Sequence, residues 1–129
     1  MLLVPALVLL IDGAERLVPR AAVVEVAALG YLTPVPTAPP ALAGLTQLRG
    51  QILPVLDLAA AEQTRLPRPG APLLVVELPE LGRAALLIDE ARGEAQIADD
   101  DPRLLDLYLL GAAVRDQVAA RALALFTGR

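Results

Sequence analysis

Two runs of this chain carry no polar residue at alternate positions: Leu73–Val76 (LLVV) and Ala85–Ile88 (ALLI). A strand with one wet face needs a polar side chain at every second place, so runs of this kind belong to strands covered on both sides. Turn formers bound them: Pro67, Pro69 and Gly70 precede the first run, and Pro79-Glu80-Leu81-Gly82 separates it from the second. A single small sandwich would leave its outer faces polar. Two barrels pressed together would bury both sides of the shared strands.

The rest of the chain fits the same pattern of short strands. Pro5–Ile11 reads as a strand, Asp12-Gly13 as a hairpin turn and Glu15–Pro19 as the returning strand. Arg20–Ala28 is expected to be a short helix, despite its β-branched residues. Thr33–Pro40 holds four prolines and reads as a stiff polyproline-like connector. One helical turn over Ala41–Gly44 leads to strands at Thr46–Arg49 and Gln51–Leu56, turning at Gly50. A loop over Gln63–Ala71 leads into the pair Leu73–Leu78 and Ala84–Asp89. Arg92–Ile97, Leu107–Val114 and Ala119–Phe126 complete about nine strands. The spacing predicts an all-β barrel or sandwich, and 129 residues suit one domain or two tightly fused units.

Composition narrows the chemistry. Hydrophobic residues make up 56% of the chain but aromatics only 2%, so the core must be aliphatic and a binding surface must rely on aliphatics and Arg. Cys, His, Ser, Lys, Asn and Trp are all absent. That removes thiol and serine nucleophiles, Schiff bases, P-loop lysines and the usual imidazole base. No cofactor is expected. The eleven basic residues are scattered arginines in a chain of net charge −4, which argues against nucleic acid and against a polybasic membrane patch. Met1–Ile11 is too short to span a bilayer, which takes about 20 residues. It lacks the charged start of a signal peptide and reads as a buried first strand, so a cytoplasmic protein without membrane insertion is expected.

Few residues could carry a site. Asp99-Asp100-Asp101 lacks the ligand spacing of a calcium loop and reads as a solvated turn; no metal site is expected. Asp57 ends an apolar run and reads as a turn cap. The competing reading makes it a catalytic carboxylate with Glu62 or Asp89, the basis of a carboxylate-dependent hydrolase. Glu25 lies between Val24 and Val26 and reads as an outward-facing helix residue. Arg49 sits in one of the most apolar stretches. It is either half of an internal ion pair, with Glu25 or Asp57, or a contact arginine at the lip of an aliphatic groove.

Gly44–Leu58 reads GLTQLRGQILPVLDL. It resembles the signature of CheW-like domains, with Gly44, Leu48, Pro54 and Asp57 at its structural positions. PALVLLIDGAERLVPRAAVVEV resembles that family's opening hairpin and following helix, TPVPTAPPALAG its approach to the signature, and LLVVELPELGRAALLIDEARGEAQI its later strand pair. The resemblance implies two SH3-like five-stranded β-barrels packed side by side, with one short helix after the first hairpin, intertwined in one domain over residues 1–129. It implies a non-catalytic adaptor that binds the cytoplasmic tip of methyl-accepting chemoreceptors and the regulatory domain of a CheA-type histidine kinase. It also allows a scaffold of a pilus-motility or polar-localisation system. Arg49 matches the family's receptor-linked arginine, Val23 and Glu25 the positions bordering its groove, and Gly50 the tight turn beside it. Gln47 stands where relatives usually have Asn, the aromatic of strand one is replaced by aliphatics, and the usual closing helix is not expected.

Overall fold

The structure, a computed structural model, describes residues 2–35, 41–59 and 67–126, with side chains up to Asp116. Nine strands precede one helix among the described residues: β1 Leu3–Ile11, β2 Ala14–Pro19, β3 Val23–Ala28, β4 Leu32–Thr33, β5 Leu42–Leu48, β6 Gln51–Leu56, β7 Pro72–Leu78, β8 Gly82–Leu87, β9 Glu90–Ala98 and α1 Leu107–Phe126. Hydrogen bonding groups the strands into two sheets, β2-β1-β9 and β3-β7-β8-β6-β5-β4. All ladders are antiparallel except β6–β8, where Val55 and Leu56 run alongside Ala85 and Leu86. This is the mostly-β, two-unit architecture expected from the sequence, although the ladders form two open sheets rather than closed five-stranded barrels.

The apolar runs behave as their lack of alternation requires. In β7, Leu74, Val76 and Leu78 face a principal core, joined by Leu9, Val18, Leu56 and Leu86. Leu73 faces the opposite way, into a second cluster with Leu29, Val55 and Ala85. A third cluster, Ala6, Leu17 and Ile97, backs the three-stranded sheet. All three are aliphatic, because the described tyrosines Tyr31 and Tyr108 lie at the surface.

Four local expectations are corrected. The helix over Arg20–Ala28 shrinks to one 3-10 turn, Arg20–Ala22, and Val23–Ala28 is strand. Its valines lose rotamer freedom in a helix and gain a partner in β7. The helical turn over Ala41–Gly44 is absent, since Leu42–Gly44 already belongs to β5. The two closing strands, Leu107–Val114 and Ala119–Phe126, are instead one helix, so the expectation of no closing helix also fails. Asp106 caps it, its Oδ1 accepting from Leu109 N at 2.9 Å. Leu and Ala dominate the helix, and both are strong helix formers. Gly111 serves close packing: a Cβ there would lie 3.0 Å from Pro79 O. Arg115 Nη1 donates to Glu80 Oε2 at 2.8 Å, tying α1 to the β7–β8 turn. Most of the proline connector (36–40) and part of the second loop (60–66, including Glu62) lie outside the described residues.

Candidate functional site

The β5–β6 hairpin turns in two residues, Arg49 and Gly50, between the paired Leu48 and Gln51. Their φ angles, +50° and +80°, are those of a type I′ turn, the kind that matches strand twist. Glycine takes such a conformation freely, whereas arginine does so rarely. Arg49 is therefore held at the tip of the hairpin, and its side chain, 74% exposed, lies across the surface. It meets Glu25 as a fork: Nε donates to Oε2 at 3.0 Å and Nη2 to Oε1 at 3.0 Å. The hydrogen bond from Arg49, together with its charge, holds the Glu25 carboxyl below its usual range. Reciprocally, Glu25 raises the Arg49 guanidinium.

The pair reports on the shape of the sheet. Between β3, which carries Glu25, and the β5–β6 turn stand β7, β8 and β6. In a flat sheet that is more than three strand spacings, about 15 Å. A direct contact requires the six-stranded sheet to roll up strongly, as a barrel-like unit does even when its ladder stays open.

A bulge completes the local geometry. Val23 pairs with Val76 and Glu25 with Val75, leaving Val24 as the extra residue. Val24 and Glu25, which strict alternation would send to opposite faces, thereby line one depression of about 220 Å³. Its apolar surface comes from Val24, Leu48, Leu53 and Val75, and its polar rim from Glu25, Arg49, Gln51 and Arg83. Arg83 Nε donates to Glu77 Oε1 at 3.1 Å.

The residues singled out from sequence are only partly brought together. Glu25, Leu48 and Arg49 share the depression. Arg49 is neither buried nor paired with Asp57; its partner is Glu25, at the surface. Glu25 is a strand residue rather than a helix residue. Val23 packs against the principal core, and Val24 takes the wall position instead. Gly50 shapes the turn. Gly44 marks a register shift in β5, where a Cβ would lie 2.6 Å from Thr33 O. Pro54 pairs opposite Leu45 in β6 and lines a neighbouring shallow depression. Val24 and Arg83 escaped sequence reading: the bulge that turns Val24 inward has no local signature, and Arg83 looked like one more scattered arginine.

Asp57 is buried at 3% exposure, and its Oδ1 accepts from Ala59 N at 3.0 Å, the turn-capping arrangement. Asp89 Oδ2 accepts from Gly13 N at 3.0 Å and so braces the first hairpin. Both carboxylates border one depression of about 250 Å³, with Asp12 and Arg68. Their nearness leaves a carboxylate site geometrically possible, yet each carries a backbone-bracing bond, and the chain has no His, Ser or Lys to work beside them. In the acidic turn, Asp101 Oδ1 caps Arg103 N at 2.9 Å. Among the described residues no group of three or more acidic side chains could hold a metal ion, and no helix is long and apolar enough to cross a membrane.

A family model described as the CheW-like domain matches residues 5–120. No curated protein matches the chain. Among solved structures, the fold is similar to that of the scaffolding protein TtCheW from Thermoanaerobacter tengcongensis, with a TM-score of 0.62 and 21% identity, covering 77% of this chain and 68% of that one. The rolled six-stranded sheet, the Arg-Gly hairpin at its tip and a family match over most of the length agree: the chain belongs to the CheW-like domain family.

Proposed function

We propose that this protein is a non-catalytic adaptor that couples the signalling tip of a chemoreceptor to a CheA-type histidine kinase. The observation that carries this reading is the solvent-facing Arg49–Glu25 pair on the rim of an aliphatic depression. A buried pair would have been a structural device. An exposed, preorganised guanidinium beside Leu48, Leu53 and Val75 suits recognition of an amphipathic helix, with apolar contact supplying affinity and charge setting register. Gly50 keeps the turn tight, and Val23 anchors β3 from behind. Family membership supports the adaptor role, and the scaffolding description of TtCheW agrees with it.

Calorimetry with a soluble chemoreceptor signalling-tip fragment from the same genome tests the reading. Arg49→Asp reverses the charge at a position whose left-handed backbone Asp tolerates, so the fold survives, as far-UV circular dichroism checks. Receptor affinity is expected to fall at least about tenfold, or 1.4 kcal/mol, while binding of the kinase regulatory domain persists. Unchanged receptor affinity would refute the assignment.

A further inference from the structure

Glu80 holds a backbone conformation that its residue type rarely adopts. It sits in the β7–β8 turn at φ +65°, in the left-handed region where Gly or Asn costs least. Its side chain supplies the reason for a glutamate there. Oε2 accepts from Arg115 Nη1 at 2.8 Å, and Oε1 accepts from Tyr108 Oη at 3.4 Å. Tyr108 and Arg115 lie about two turns apart on α1 and so share one face. Between them Gly111 approaches the turn closely: a Cβ there would meet Pro79 O at 3.0 Å and Leu81 Cβ at 3.7 Å. The carboxylate thus brackets the helix where it comes nearest to the β7–β8 turn.

The ladders of both sheets are complete without α1, which belongs to neither. Its apolar contacts, Leu107, Leu110 and Val114, rest on the principal core. The segment before it is tied down separately. Leu17 N donates to Arg103 O at 3.0 Å and Leu105 N to Leu17 O at 2.9 Å, while Arg103 Nη2 donates to Asp101 Oδ2 at 2.8 Å. These ties end at Leu105 and α1 starts at Leu107, which leaves Asp106 as a pivot. The Arg115 and Glu80 side chains are 45% and 53% exposed, so salt weakens the bracket and leaves the apolar contacts in place. Leu81 connects the two sides of the turn. It packs on the principal core and also lines the shallow depression that holds Ile52 and Pro54.

We propose that α1 is a strap that lifts from the β7–β8 turn as one unit while both sheets stay folded, with Glu80 as its fastening and Asp106 as its pivot. Docked, the strap fixes the wall that Leu81 gives to the neighbouring depression. Lifted, it frees the turn. The left-handed glutamate is kept because a glycine, easier for the backbone, could not fasten the helix. This device does not depend on the adaptor role.

Native-state hydrogen exchange on the full chain tests this, comparing the α1 amides from Gly111 to Asp116 with those of Val75 and Val76 in β7. In the wild type the α1 amides are expected to exchange at least about tenfold faster than the β7 amides. Glu80→Gly eases the backbone and removes the bracket, so the two regions respond differently. The α1 amides speed up about threefold to fivefold, the range of an exposed ion pair, while β7 stays at least as protected. Glu80→Arg and Arg115→Glu each speed α1, and the double charge swap restores most of its protection, whereas plain destabilisation would add. Raising the salt concentration speeds α1 and leaves β7 unchanged. One common rate for α1 and β7 in the wild type would overturn the strap. An α1 rate that Glu80→Gly leaves unchanged would overturn the fastening.

Discussion

Gly44→Ala tests how the first edge of the large sheet is held. The new Cβ would lie 2.6 Å from Thr33 O and 3.0 Å from Leu32 Cδ1, and the nearer contact is with backbone that cannot swing aside. Strand β4 has to move away from β5. It is held there by two residue pairs, Leu32 with Thr46 and Thr33 with Leu45, and by Thr46 Oγ1 donating to Tyr31 O at 2.7 Å. Thr46 is 4% exposed, so its hydroxyl would be left buried without that partner. Losing this short ladder and the hydroxyl bond, at about 1 kcal/mol each, gives a destabilisation of roughly 2–4 kcal/mol. For a domain of this size that corresponds to a midpoint drop of roughly 8–16 °C. Thermal and urea unfolding followed by far-UV circular dichroism would measure it. Gly30→Ala is the control: nothing lies within 4 Å of a Cβ there, and it should change stability by under about 0.5 kcal/mol. Adding Leu32→Ala should recover little, because the carbonyl remains. Equal midpoints for Gly44→Ala and Gly30→Ala would refute the packing argument.

Two further outcomes follow from single side chains. Asp57→Ala removes the acceptor for Ala59 N from a buried turn and should cost about 1–3 kcal/mol, read from urea unfolding; a neutral substitution would show that the cap contributes nothing. Asp101 is held down to about 2 by hydrogen bonds from the Arg103 side chain and backbone. Because its folded value lies below the ordinary one, its contribution is present above the normal carboxylate range and is lost as pH falls through about 2. The stability gap between wild type and Asp101→Asn should therefore hold down to about pH 4 and close towards pH 2; a gap that widens on acidification would contradict the pairing.

Much of the architecture was legible wherever local chemistry and burial agree. LLVV and ALLI announced strands covered on both faces, and Asp12-Gly13 announced a hairpin, because composition and turn geometry are short-range properties. The errors came where tertiary packing overrides them. Val23–Ala28 suited a helix by its pattern but gained more from pairing with β7. Leu107–Val114 and Ala119–Phe126 read as strands, yet they form one helix, in which Gly111 lets α1 approach Pro79. Arg49 could be identified as unusual, but not which carboxylate it would meet, since that depends on the sheet's roll. Arg83 and Val24 joined the rim through a bulge and a strand order that no window of sequence contains.

The three-stranded sheet has a kinetic consequence. Strand β1 has β2 beside it at once, but its other edge is closed only by β9, with Leu3 opposite Ala98. Bringing such distant segments together carries a loop-closure penalty that neighbouring hairpins avoid. During synthesis the edge of β1 that pairs with β9 must wait until Glu90–Ala98 has emerged. Until then β1 keeps one edge open to stray pairing.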